Sequence, residues 1–244
     1  MPTTTTTAHR KGRLEIIAHR GSPREHPENS LPGFRHALDS GANAIELDVH
    51  LTVDGVLVVH HDPTLPVGPP GRAADAPPPA IRDVTYAVVR GHALAPGVPI
   101  PTLPEVLDLV GRRGVAYIEV KATAAAAAVV RCIGESTAAC AVHGFDHRVA
   151  LRTASLAPTL PTGILLDCYL IDPAAALGDA RARDYWQRWE MIDAELVARI
   201  HAARGRVIAW TVNDPAVARR LHALGVDAVC TDVCREMSAE LRRS

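Results

Sequence analysis

The sequence predicts an α/β protein of one domain: a single (β/α)8 TIM barrel with a β-hairpin and a Pro-rich insertion after strand 2. Three observations predict it. Short apolar or β-branched runs alternate with longer amphipathic stretches, the pattern of parallel strands joined by helices. Eight such units fit into about 230 residues, as a closed barrel requires, whereas an open doubly wound sheet usually uses fewer. The 244 residues, 48% hydrophobic and 22% charged, are also enough to bury a large core and exclude a disordered chain.

Taken in order, residues 1–13 combine five threonines with His9, Arg10, Lys11 and Arg13, too polar to bury, and are expected to form a flexible leader. The barrel domain is expected over 14–244. Strands are expected at 14–18, 44–49, 115–120, 148–152, 163–166, 189–192, 206–211 and 227–230, lengths that suit strands buried on both faces. Helices are expected at 31–40, 103–111, 124–141, 173–185, 194–203, 215–224 and 235–242. Thr102 with Glu105 three positions on reads as a capping box, and Asp214-Pro215 as a cap before a first-turn proline. Gly41, Gly205 and Gly225 stand where helices should end. After the second strand, Leu51-Thr52-Val53-Asp54-Gly55-Val56 carries the Asp-Gly of a tight turn, so residues 56–59 are expected to double back. Residues 63–101 hold ten prolines, including Pro77-Pro78-Pro79, which exclude a regular helix over much of that span and predict an ordered insertion or lid-like loop.

Composition narrows the function. Lys+Arg at 26 against Asp+Glu at 27 gives a net charge of −1, so no general attraction to nucleic acid or anionic membrane is built in, and any anion must be held locally. No apolar run approaches the roughly 20 residues of a membrane span and no signal core follows Met1-Pro2, so stable membrane insertion is not expected and a cytoplasmic location is. The five cysteines are odd in number, scattered and free of C-x-x-C, so they read as reduced, mostly buried hydrophobes.

The candidate chemistry gathers at strand ends. His19 and Arg20 follow the first strand and emerge at one mouth, the catalytic one in barrel enzymes. In Ile45-Glu46-Leu47-Asp48-Val49, alternation sets Glu46 and Asp48 on one face. Two such carboxylates repel, so one holds a proton or a cation neutralises both. Glu119 adds a third, with Lys121 two residues on. Three inward carboxylates without a cysteine favour a hard divalent ion, Mg²⁺ or Ca²⁺. A plain ion-pair network of Glu119, Lys121 and Arg20 is the competing reading, disfavoured by so apolar a strand interior. Of His60 and His61, alternation lets only one face the site and leaves open which; Asp62 could set its tautomer. Trp210, at the end of the seventh strand, reads by itself as core more readily than as a pocket wall. Two histidines for acid and base, a cation, and Arg20 with Lys121 for an anion, without an activated Ser or Cys, fit metal-assisted phosphoryl chemistry on a phosphodiester.

These residues, in order, resemble the glycerophosphodiester phosphodiesterase family: His19-Arg20-Gly21, Pro27-Glu28-Asn29-Ser30, Glu46-Leu47-Asp48-Val49, Thr52-Val53-Asp54-Gly55, His61-Asp62-Pro63-Thr64-Leu65, Ile100-Pro101-Thr102-Leu103, Glu119-Val120-Lys121, Trp210-Thr211-Val212-Asn213 and Thr231-Asp232. The resemblance implies a TIM barrel that hydrolyses small-molecule glycerophosphodiesters to sn-glycerol 3-phosphate and an alcohol. It implies Glu46, Asp48 and Glu119 as ligands of Mg²⁺ or Ca²⁺, and His19 and His61 as the acid/base pair, which chooses between the two neighbouring histidines. It further implies phosphate contacts from Arg20 and Lys121, a glycerol contact from Trp210, and Glu28 and Asn29 as braces of the first loop. By the same resemblance, a glycerol hydroxyl attacks phosphorus and water opens the resulting cyclic phosphate. A lysophospholipase D-type reaction in the same site, and a non-catalytic barrel that binds glycerol phosphate, are the alternatives. The chain departs from the family at Pro66-Val67-Gly68-Pro69-Pro70, where an Arg-Thr pair is common. It departs again after the expected fourth strand, where Arg152-Thr153-Ala154-Ser155 replaces a frequent Ser-Phe and is expected to add charge at the pocket rim.

Overall fold

Strand β2 (Ala44–Leu51) shows how the molecule is layered. Ile45, Leu47 and Val49 are fully buried and pack outward against Phe34, Ala37 and Leu38 of α1 (Leu31–Asp39) and against Leu103, Val106 and Leu107 of α3 (Leu103–Val110). Ala44, on the opposite face, joins Ile17, Tyr117, Ala141, Trp186 and Ile208 in a separate cluster. That second cluster is the barrel interior, because alternate residues of each strand point to opposite faces. The computed structural model describes residues 13–65 and 78–242.

Eight parallel strands close the ring: β1 (Glu15–Ala18), β2, β6 (Val115–Val120), β7 (Ala139–Gly144), β8 (Thr162–Leu166), β9 (Asp184–Arg188), β10 (Arg206–Trp210) and β11 (Ala228–Thr231). Closure comes from β1, which pairs with β11 at Glu15↔Ala228 and with β2 at Ile17↔Ala44. On the outside lie α1, α3, α4 (Ala126–Gly134), α5 (Arg148–Leu156), α6 (Pro173–Asp179), α7 (Ala194–Ala202), α8 (Pro215–Leu224) and α9 (Cys234–Arg242). Helix starts follow the cap chemistry. Asp172, Asp193 and Asp214 each accept a first-turn backbone N–H, and at α3 the Thr102 N–H donates to Glu105 Oε2 at 2.7 Å.

The turn at Asp54-Gly55 returns β3 (Leu57–Val59) antiparallel to β2, with Val49↔Val59 and Leu51↔Leu57 in register. Gly55 has φ of +84°, the region such a turn requires. The described part of the insertion holds a 3₁₀ turn (Ile81–Asp83), the single-turn α2 (Tyr86–Val89) and the small hairpin of β4 (Ala93–Ala95) and β5 (Val98–Pro99). Val58, Leu65, Ile81, Val89 and Ile100 give it a core of its own, and the Asp54 carboxylate accepts the Tyr86 N–H. Residues 1–12 of the expected leader, and the departure at Pro66–Pro70, lie outside the described residues.

Two expected strands are corrected. Residues 148–152 lie in α5, where Val149, Ala150 and Thr153 are buried at helical spacing. The fourth strand is Ala139–Gly144, whose first residues were expected to finish the preceding helix; that helix ends instead at Gly134. Of residues 189–192, Trp189–Met191 form a short 3₁₀ turn, and the sixth strand is Asp184–Arg188, whose first two residues were expected to finish the helix 173–185. Both errors have one cause. A strand buried on both faces has no polar alternation, so an Ala-rich or Tyr-Trp run beside a helix continues the helical pattern. The fourth-strand correction also removes the expected rim charge. Arg152 is exposed on α5, and the residues that follow β7 are Phe145 and Asp146, so an aromatic does stand after the fourth strand.

Candidate active site

The first loop can form only around glycine. Gly21 has φ of +90°, and a Cβ there would lie 2.9 Å from the Gly33 carbonyl carbon, so the turn after β1 packs directly on the start of α1. Arg20 and Asn29 also adopt positive φ, and the Asn29 N–H closes the loop on the Arg20 carbonyl at 2.9 Å. Loop geometry thereby aims His19 and Arg20 across the mouth. His19 Nδ1 lies 2.6 Å from Asp232 Oδ1, and Asp232 Oδ2 accepts from Asn213 Nδ2 at 2.8 Å. Burial acts to raise the Asp232 pKa, but the His19 and Asn213 bonds outweigh it and hold the carboxyl below its usual range. An ionised Asp232 only accepts, so the proton sits on Nδ1 and Nε2 is left for the cavity. His61 repeats the arrangement: its Nδ1 lies 2.8 Å from Asp62 Oδ1, a carboxyl whose pKa is lowered by that same bond.

The carboxylates sit on adjacent strands, with Asp48 of β2 opposite Glu119 of β6. Glu46, Asp48 and Glu119 are 3%, 1% and 7% exposed. Lys121 Nζ lies 2.7 Å from both Asp48 Oδ1 and Glu119 Oε1. Asp48 Oδ2 takes Asn29 Nδ2 at 2.8 Å and Arg20 Nε at 3.3 Å, while Arg20 Nη1 reaches both Glu28 oxygens at 3.1 Å. Burial would raise the Asp48 pKa, yet Lys121 and Arg20 prevail and hold it well below the carboxylate range. Glu46 lacks such a partner; its Oε2 accepts only the Arg20 backbone N–H, at 3.1 Å. Its pKa is pushed well above normal by burial first, then by the charges of Asp48 and Glu119. Glu119 is raised too, chiefly by burial, against the pull of Lys121.

A cavity of about 220 Å³ opens at this mouth. His19, Arg20, Glu46, His61, Glu119, Lys121 and Trp210 all line it. Asp48 is the one expected site residue outside that lining, lying behind the two cations. Trp210 meets Phe145 edge to face at 5.7 Å, forming an apolar wall opposite the charges. A divalent cation fits the donor set. Glu46 has no cation partner of its own, and ligand atoms of Glu46, Glu119 and His143 lie within 4.8 Å of one another. Such an ion would be held at this cluster, beside Asp48.

Two contributors carry little sign of their role in the local sequence. Asp232 belongs to the Thr231-Asp232 pair, and its one signal is its position just after the last strand. His143 falls between the expected helix 124–141 and the expected strand 148–152, on a strand that the local pattern does not show. It is 2% exposed, stacked on Trp186 at 4.2 Å and 6°, and burial lowers its pKa to about 3.

Known proteins bear on this geometry. The sequence profile of the glycerophosphoryl diester phosphodiesterase family matches residues 19–236. Fold and comparisons together make the chain a barrel enzyme that hydrolyses phosphoric diesters. It is 31% identical to a glycerophosphodiester phosphodiesterase of Caldanaerobacter subterraneus subsp. tengcongensis, over 89% of this chain and 93% of the relative. The chain belongs to the glycerophosphoryl diester phosphodiesterase family. A solved glycerophosphodiester phosphodiesterase from Thermotoga maritima superposes with a TM-score of 0.79 at 25% identity, covering 93% of this chain and 98% of that one. An Oleispira antarctica phosphodiesterase, solved in complex with the product sn-glycerol-3-phosphate, shares the fold with a TM-score of 0.83 at 24% identity, over 93% and 96% of the two chains. No helix among the described residues is long and apolar enough to cross a membrane.

Proposed function

We propose that the protein releases sn-glycerol 3-phosphate and an alcohol from glycerophosphodiesters, with His19 and His61 as acid and base and a divalent cation at the carboxylate cluster. One observation carries the reading: two imidazoles, each bonded through Nδ1 to an aspartate with a lowered pKa, line the cavity that also holds Glu46 and Glu119. Each Nε2 is then free to take or give a proton over that cavity. One imidazole removes the proton of the glycerol hydroxyl beside the phosphodiester as its oxygen attacks phosphorus. The other, entering protonated, donates to the leaving alkoxide, so the alcohol departs neutral and a cyclic phosphate remains. Water opens the ring by the same two transfers in reverse. Arg20 and Lys121 set positive charge beside the phosphate and fix Asp48. The cation supplies a positive charge that offsets the non-bridging phosphate oxygens. Trp210 and Phe145 offer the apolar wall against which the glycerol carbons or the alcohol pack.

The test is release of glycerol 3-phosphate from a panel of glycerophosphodiesters and lysophospholipids by metal-stripped protein, then by the same protein resupplied with single divalent ions. Release that returns with an ion, and that His19→Ala abolishes, is the expected result. Thermal stabilisation by glycerol 3-phosphate with no turnover of any substrate would overturn it in favour of a binding barrel.

A further inference from the structure

The two imidazoles at the mouth are not anchored alike. His19 is bonded through Nδ1 to Asp232, which lies 213 residues on and is itself anchored by Asn213. His61 bonds to Asp62, its own neighbour in the chain, and these side chains are 36% and 67% exposed. A partner one residue away moves with the ring it holds. The Asp62 bond therefore sets the tautomer of His61 without fixing where the imidazole stands over the cavity, and so exposed a pair is open to water and screened by salt. The position must come from the main chain. There the sheet stops short: the last ladder bond of the hairpin runs from the His60 N–H to the Asp48 carbonyl at 3.0 Å, and among the described residues no backbone N–H pairs with the His61 carbonyl.

His50 supplies the missing tie. It is half-buried near the end of β2, opposite Val58 of β3, and by alternation it shares the face of Glu46 and Asp48. Its Nε2 lies 3.1 Å from the His61 carbonyl oxygen. A carbonyl only accepts, so Nε2 carries the proton and donates it to that bond. We infer that His50 is a positioning residue for the reaction: its Nε2–H ties the His61 main chain to β2 and so fixes the reach of the His61 imidazole over the cavity. This rests on the reading of His61 as acid or base.

Two features support it. The strand that carries His50 also carries Glu46 and Asp48, so one rigid element sets the imidazole and the carboxylates in a common frame. Further along, the chain is pinned again where the Ile81 N–H donates to the Pro63 carbonyl and the Leu65 N–H to the Pro79 carbonyl, both at 2.9 Å. With the His50 bond, both sides of the His61-Asp62 pair are tied down; without it, the free stretch runs from His60 to Pro63. An imidazole displaced by about 1 Å still leaves the substrate bound but loses the proton transfer, a defect on the order of 10²-fold in the chemical step.

The test is steady-state release of glycerol 3-phosphate by the full-length, metal-loaded protein from the best glycerophosphodiester of the panel. His50→Leu fills the space without a donor and should lower kcat by about 10–100-fold with KM within about threefold. His50→Gln, whose amide nitrogen can stand near the Nε2 position, should regain most of that loss, whereas the shorter amide of His50→Asn should not. In a His61→Ala background, His50→Leu should lower kcat by less than about twofold further, because a group acting through His61 has nothing left to position. Wild-type kcat in His50→Leu overturns the inference, and so do equal losses in His50→Gln and His50→Leu, or losses that multiply in the His61→Ala background. If His50→Leu does not fold, the contrast between His50→Gln and His50→Asn decides the same question. The levels separate at His61. If His61→Ala alone keeps wild-type activity, the acid and base reading fails; if His61→Ala is strongly impaired while His50→Leu is not, only the role of His50 fails.

Discussion

At the residue scale, each histidine depends on its carboxylate. His19→Ala or His61→Ala should lower kcat by about 10²–10⁴-fold with folding intact, the range for a lost general acid or base; steady-state release of glycerol 3-phosphate measures it. Asp232→Asn keeps the shape but removes the charge that holds the proton on His19 Nδ1. Its loss should fall on kcat more than on KM, which separates a misplaced proton from weakened binding. Glu46 makes a different prediction. Its pKa is raised in the fold above an unfolded value of about 4.3, so the metal-free native state favours the proton. Below that pH the residue costs nothing; as pH rises through the raised folded value, ionisation progressively destabilises the metal-free protein. Glu46→Gln should therefore melt increasingly above the metal-free wild type as pH rises above the ordinary carboxylate range, and thermal scans at increasing pH check it. A difference that shrinks with rising pH would contradict the assignment.

At the element scale, the loop between β1 and α1 and the start of α3 carry the local signals most plainly. Gly21 accepts no side chain, because its φ is +90° and Gly33 and Phe34 stand within 2.9 and 3.0 Å of a Cβ. Gly21→Ala should cost about 1–3 kcal/mol and reduce activity as well, since the displaced loop also aims His19 and Arg20. Thr102→Ala removes the hydroxyl that donates to Glu105 at 2.8 Å and should cost about 1 kcal/mol without touching kcat, because α3 lies outside the barrel. Denaturant titration beside steady-state kinetics separates the two cases. The capping box was legible in the sequence because it is a contact between residues three apart. The fourth and sixth strands were not, because their burial on both faces is a property of the closed sheet.

At the scale of the whole molecule, the two mouths of the barrel divide the work. Opposite the candidate site, Arg206 pairs with Glu15, lies 3.1 Å from the Tyr117 hydroxyl and 3.6 Å from Asp184 Oδ1, tying the first, third, sixth and seventh strands of the ring together. Arg183 holds the buried Asp184 with two bonds, at 2.8 and 2.7 Å, so removing Arg206 leaves Asp184 paired and strands the half-buried Glu15 carboxylate and the Tyr117 hydroxyl instead. Arg206→Met should destabilise by about 1–3 kcal/mol while kcat per folded molecule stays unchanged, because its network lies at the strand starts and the reaction at the strand ends.

By itself the sequence determined the number of β/α units, the hairpin after the second strand, the helix caps, and the identity of the charged and imidazole residues near strand ends. Those features are written in spacings of two to four residues, within reach of a local reading. Tertiary structure alone decided which apolar runs become interior strands, that Asp48 is shielded by Lys121 and Arg20, and that Asp232 holds His19 across 213 residues of chain. It also brought His143 to Glu46 and Glu119. The physical reason is ring closure: pairing β1 with β11 and β2 joins the chain's two ends, and contacts made by that closure leave no periodic trace in the sequence.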